Sequence, residues 1–181
     1  TNPNSFSTFT TNSIDFNGEP ISIILQVNHD DNTLEIRTIN DKNGTNYKNV
    51  TYFLKIFKDE KLILSDHLFS EEIFLFKIIS NDEHSLKISG DRQYNHNAMI
   101  MSDSNPPKII GSIFKNNEEY DFSLDILTLN DKDDWIFSLT DFVVSINVNE
   151  FSTENTTLDV IKENKIQAYK YDMVEYVSLT E

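Results

Sequence analysis

Apolar and polar residues alternate with period two along much of the chain. Ile21, Ile23, Leu25 and Val27 enclose Ser22, Ile24 and Gln26; Tyr120, Phe122, Leu124 and Ile126 enclose Asp121, Ser123 and Asp125; Phe142, Val144, Ile146 and Val148 enclose Ser145 and Asn147. Successive side chains of a strand point to opposite faces, so the pattern predicts half-buried strands with one face on a core and one in water. Further strands are expected over residues 33–39, 50–58, 62–66, 72–79, 85–89, 108–114, 158–161, 165–171 and 173–178. The connectors are short and polar, at 28–32, 40–47, 58–61, 80–84, 102–107, 115–118 and 130–134, which is hairpin spacing. Alanine occurs only at positions 98 and 168, while Ile, Phe, Val, Tyr and Thr fill the ordered segments, so propensity also disfavours long helices. The expected fold class is all-β, an antiparallel immunoglobulin-like β-sandwich. Residues 1–12 are expected as an N-terminal segment and 13–181 as a single sandwich domain. The alternative is a division near 90–107, where Asn, Ser and two prolines accumulate, but each half would have a lean core.

Composition narrows the chemistry. With 181 residues and 38% hydrophobic, the chain has the content of a globular domain and too much core material for disorder. The absence of cysteine removes thiolate nucleophiles, disulfides, Cys-ligated zinc, iron–sulfur clusters and blue-copper sites. A net charge of −15, with its 15 cations scattered, argues against a nucleic-acid partner, whose phosphates are bound by clustered Lys and Arg. The longest nearly apolar run, Ile73 to Ile79, holds Lys77 and falls far short of the ~20 residues that span a bilayer. The chain opens Thr1-Asn2-Pro3 without an initiator Met or a basic-then-apolar leader, which reads as a mature chain after signal cleavage and an extracytoplasmic location. Sequons at Asn43, Asn49 and Asn155 are candidate glycan acceptors on such a chain, although 21 Asn and 31 Ser plus Thr supply about that number by chance.

The middle of the chain carries a resemblance. Val50-Thr51-Tyr52-Phe53-Leu54-Lys55-Ile56-Phe57-Lys58-Asp59-Glu60-Lys61 reads as a hairpin, followed by Asn97-Ala98-Met99, Ile110-Gly111-Ser112-Ile113-Phe114, Tyr120 to Thr128, and Asp134-Trp135-Ile136-Phe137. Together these stretches, from about Val50 to Val148, resemble uncharacterised secreted β-sandwich proteins of ammonia-oxidising archaea (Thaumarchaeota). The chain departs from that pattern with Glu60 where Gly is favoured, Ser112 where Pro is favoured, Asn117-Glu118-Glu119 in place of a Gly-rich turn, and no His after Tyr120. The resemblance implies an exported, envelope-exposed domain and no particular reaction.

Two metal readings arise from the residues. His96, Met99 and Met101 gather soft ligands, and on a strand the two methionines share a face, which suits Cu(I). The competing reading takes Met99 and Met101 as gap-filling core side chains and His96 as part of an Asn-rich turn, and it is preferred because His96 lies an odd number of positions from Met99. Asp131, Asp133 and Asp134, like Asp30-Asp31-Asn32, form acidic loops of the kind that hold calcium, against the simpler reading of solvated loop tips. His29, His67 and His84 read as solvated surface histidines.

No Gly-x-Ser-x-Gly elbow, His-Glu-x-x-His helix, phosphate loop or dinucleotide fingerprint occurs, and no catalytic residue is assigned. Glu71-Glu72 and Glu118-Glu119 are sequence neighbours whose side chains diverge on a strand, so neither makes a carboxylate dyad. A glycosidase pairing distant acids stays open. The expected function is a non-enzymatic exported protein of the cell envelope acting by protein–protein contact, without a cofactor unless calcium or copper binds. The alternative is a soluble extracytoplasmic accessory or subunit of a membrane-bound, copper-dependent, ammonia-oxidising complex.

Overall fold

The computed structural model describes residues 6–82, 85–93, 99–101, 105–115, 118–130 and 139–148. They form thirteen strands: β1 (Phe6–Thr10), β2 (Ile14–Phe16), β3 (Glu19–Asn28), β4 (Thr33–Asn40), β5 (Val50–Lys58), β6 (Lys61–Ser70), β7 (Phe74–Ser80), β8 (Lys87–Ser89), β9 (Arg92–Gln93), β10 (Met99–Met101), β11 (Lys108–Gly111), β12 (Glu118–Thr128) and β13 (Leu139–Val148). A seven-stranded sheet runs β1-β3-β4-β7-β11-β8, with β2 also paired to β3, and a six-stranded sheet runs β13-β12-β5-β6-β10-β9. The expected all-β architecture is what the chain adopts.

The alternation determines the core. Ile21, Ile23 and Leu25 of β3, Leu34 and Ile36 of β4, and Phe74 and Phe76 of β7 point inward from one sheet, and Tyr52, Leu54, Ile56, Phe122 and Leu124 point inward from the other. All are fully buried in one continuous apolar cluster, so burial locks the register of each strand. A hydroxyl pair crosses the layer, with Thr38 Oγ1 of β4 and Tyr52 OH of β5 2.7 Å apart. Burial raises the Tyr52 phenol well above its ordinary value, so this group stays a neutral hydrogen-bonding tie between the sheets.

Two hairpins use the same tight turn with different residues. Asn17 and Gly18 have φ of 51° and 81° between the paired Phe16 and Glu19, and the Asp15 carboxylate accepts the Gly18 N–H at 2.9 Å. Asp59 and Glu60 have φ of 49° and 62° between the paired Lys58 and Lys61. Positive φ at both central residues is the primed turn that matches strand twist, and Asn-Gly adopts it at least cost. At Glu60 a side chain is carried in the left-handed region.

Three differences from the sequence expectations have physical causes. Residues 6–10 are not outside the sandwich but form β1, paired antiparallel with β3. The sheets are antiparallel except that β10 pairs parallel with β6 and β11 parallel with β7. Parallel pairing needs a long return between the paired strands, and β10 follows β6, and β11 follows β7, only after more than 25 residues of chain. The strand expected over 108–114 stops at Gly111, whose φ of 137° and 2.6 Å approach of a would-be Cβ to the Ser85 carbonyl leave no room for a side chain. The alternative division near 90–107 is not seen among the described residues: β5 pairs with β12 and β7 with β11, so strands on both sides of it share sheets and core. The strands expected at 158–161, 165–171 and 173–178 lie outside the described residues.

Candidate functional site

Of the residues singled out for metal, His96, Asp131, Asp133 and Asp134 lie outside the described residues, as do Asn155 and His84. In β10 it is Ile100, between the two methionines, that enters the core, fully buried opposite Leu68; Met101 stands beside Phe69 and is half-buried. The expectation that Met101 packs in the core is therefore corrected, because the alternation of β10 is fixed by Ile100. In the β3–β4 loop, Asn28 occupies the acidic tip: its Oδ1 accepts the N–H of Asp30 at 2.9 Å and its Nδ2 donates to Asp31 Oδ2 at 2.9 Å. Among the described residues, no three His, Cys, Asp or Glu side chains converge in a metal-binding group.

The histidines also differ from expectation. His29 is half-buried and its Nε2 lies 2.9 Å from Ser7 Oγ, tying β1 to the β3–β4 loop. Burial lowers its pKa below the ordinary imidazole value, against the opposing charge of Asp30. His67 is exposed as expected, stacked on Phe53 with ring centroids 4.6 Å apart.

A cleft of about 690 Å³ opens at one end of the sandwich between Asn32, Ser80, Asp82, Phe114, Lys115 and Glu118. Phe114 forms its apolar wall and has φ of 55°, a left-handed conformation that costs a bulky residue roughly 1–2 kcal/mol. Ring contacts with Tyr120, 5.4 Å away, and Phe122, 6.0 Å away, hold it there. The polar groups of the cleft answer one another. Lys115 pairs with Asp82 at 3.0 Å, Lys58 with Glu118 at 2.5 Å, and the Tyr120 hydroxyl donates to the other Glu118 oxygen. Desolvation pushes the Glu118 carboxyl up, but the hydrogen bonds of Lys58 and Tyr120 and the charges of Lys58 and Lys115 outweigh it and hold it below the usual carboxylate range. The arrangement is a brace between β5, β12 and the 111–115 turn.

The outer face of the seven-stranded sheet is built differently. Inward Phe76 and Ile78 bracket Lys77, which must therefore face outward, and inward Ile109 does the same for Lys108. The parallel register of β7 and β11 sets Lys77 and Lys108 abreast. Neighbouring strands lie about 4.8 Å apart, so two ammonium-bearing side chains at the same level repel. Neither forms an ion pair among the described residues, and Glu35, two positions along on β4 from the partner of Lys77, does not reach it. Four positions along β4 from the partner of Lys77, Arg37 Nε is buried with no hydrogen-bond partner among the described residues. Ile79, next to Lys77 on this face and abreast of Ile110, is 37% exposed, and Ile73 is 39% exposed. Unpaired cations and exposed apolar side chains thus share one surface.

The sequence reading missed this patch. Its signal was Lys77 inside the apolar run Ile73 to Ile79, which registered only as an interruption of that run. Comparison of the chain with protein-family models, with curated proteins and with solved structures gives no match.

Proposed function

We propose that the protein is a non-enzymatic β-sandwich domain exported to the cell envelope, where it docks an acidic surface of another protein on the outer face of its seven-stranded sheet. The observation that carries the reading is the Lys77–Lys108 row, without an ion partner among the described residues, beside exposed Ile79 and Ile73. In a chain with twice as many acids as bases, ion partners are abundant, yet among the described residues these two cations stand together without one. A partner carboxylate placed across them relieves their repulsion, and the isoleucines supply the apolar contact at the centre of such an interface. The net charge of −15 does not oppose it at physiological salt, because charges beyond a Debye length of about 8 Å are screened and the local sign decides. The resemblance of residues 50–148 to secreted envelope proteins supports the location.

The test is charge reversal with Lys77→Glu and Lys108→Glu together. Immobilised wild-type protein is expected to retain an acidic envelope protein at about 0.15 M salt, and the double variant to retain about tenfold less or lower. Lys61→Glu, on the exposed β5–β6 turn, is expected to leave retention unchanged. Equal retention by wild type and double variant sinks the reading, as does capture by anionic lipid vesicles in place of protein. Recovery of subunits of a membrane-bound copper oxidase as the retained protein favours the accessory-subunit form of the same contact.

A further inference from the structure

We infer that Asn43 is an N-glycan acceptor of this protein and that Asn49, the other sequon asparagine among the described residues, is not. The biological setting rests on the export proposed above; the geometry does not. Asn43, Gly44 and Thr45 are all exposed in the loop between β4 and β5. Asn43 Oδ1 accepts both the backbone N–H of Thr45, at 2.9 Å, and its hydroxyl, at 2.7 Å. This turn holds the second-position hydroxyl against the acceptor amide, the two groups a sequon-reading transferase must engage together. Nδ2, the atom that attacks, makes no hydrogen bond among the described residues. Gly44, at φ 70°, has nothing within 4 Å of where a Cβ would stand, so the space over the loop is clear for an enzyme. The loop is anchored from beneath by the Asn40 carbonyl, which accepts the Gly44 N–H at 2.7 Å.

The second sequon is built into the sheet. Asn49 is half-buried with φ of 51°, and its N–H donates to the Glu71 carbonyl at 2.9 Å. Val50 is fully buried, and Thr51 is 3% exposed, paired to Phe69 on one side and Thr128 on the other. Its hydroxyl is occupied by that of Thr128 at 2.7 Å. Presenting this triad to an enzyme requires the start of β5 to leave both of its neighbours.

The reaction needs a lipid-diphosphate-linked oligosaccharide as donor and an oligosaccharyltransferase. Asn43 Nδ2 attacks the anomeric carbon, a C–N bond forms as the C–O bond to the diphosphate breaks, the lipid diphosphate leaves with the electron pair, and one Nδ2 proton passes to a base of the enzyme. The glycan would stand clear of the docking face. β4 runs from Thr33, abreast of Lys77, to Asn40 beneath the Asn43 loop, so the two sites lie at opposite ends of the strand.

The experiment uses the folded full chain and a purified transferase first shown to modify free peptides spanning each sequon, with occupancy read by peptide mass spectrometry. Asn43 is expected to be modified in the folded protein, to lose modification in Thr45→Ala and to keep it in Thr45→Ser. Asn49 is expected to react on the order of tenfold or more slowly than in its free peptide, because it must wait for local opening. Comparable rates at Asn49 in peptide and folded chain overturn the inference, and so does an unmodified Asn43. The reaction is independent of cellular location: a chain modified at Asn43 in vitro but found inside the cell refutes the export reading and leaves the acceptor assignment standing.

Discussion

The outer faces of the two sheets are made from similar residues and resolve their charges in opposite ways. On the six-stranded sheet, Lys55 of β5 lies 3.0 Å from Asp125 of β12, its ammonium sits 4.8 Å above the Phe53 ring, Phe53 stacks on His67, and Ser145 donates to Asp121 at 2.5 Å. On the seven-stranded sheet, Lys77 and Lys108 stand abreast with no ion partner among the described residues while Ile73 and Ile79 meet water. Among the described residues, the charges of one face are closed on themselves and the lysine row of the other is not. The difference teaches that cation count says little about binding in an acidic protein; what matters is which cations the register leaves without a carboxylate.

The contrast is testable through stability, because a self-satisfied face should resist change and an unsatisfied one should tolerate it. The largest effect is expected at Lys55→Ala, which strands the Asp125 carboxylate at 7% exposure and should cost about 2 kcal/mol in urea unfolding. Adding Asp125→Asn should recover much of that loss. If the single substitution costs no more than a surface change, the closed-face description fails.

A smaller effect is expected at the end cleft, whose charges are also paired. Glu118 is held below its ordinary carboxyl value of 4.5, so its contribution to stability is complete above that pH and is lost as pH falls through the depressed native value. Glu118→Gln should remove a contribution of about 1 kcal/mol at neutral pH and flatten the acid limb of the stability profile. An unchanged acid limb would mean that the Lys58–Glu118 pair is no brace. The smallest effect is expected from Lys77→Glu, within about 0.5 kcal/mol in either direction, since no native partner is lost and a like-charge contact is removed. A loss approaching that of Lys55→Ala would erase the distinction between the faces.

Much of this architecture could be read from local pattern. The strand expected over 50–58 has the bounds of β5, and every inward residue of the alternations at 21–27 and 120–126 is buried. β1 was illegible because its inward positions include Ser7 while the apolar Phe6 faces out at 45% exposure, inverting the usual signal. Met101 misled for a related reason: three residues carry no period, and Ile100 decides which face is the core. The lysine row was out of reach for a deeper cause. Each lysine is visible in its own strand, but their adjacency comes from a parallel register between segments separated by β8, β9 and β10, a non-local fact that no window along the chain contains.

The pairing of β5 with β12 also sets a clock. Lys55 and Asp125 are 70 residues apart, so on a chain emerging from the ribosome β5 waits for its second neighbour while those residues are made. At about 5–20 residues per second that is roughly 4–14 s, far longer than the ~1–10 μs in which the β5–β6 hairpin can close. During this interval one edge of β5 is open and the apolar face of Tyr52, Leu54 and Ile56 lacks its neighbours from β12. Nascent chains ending before residue 118 should consequently recruit holdase chaperones, and release of those chaperones should coincide with the arrival of residues 118–128, whatever the mature protein goes on to bind.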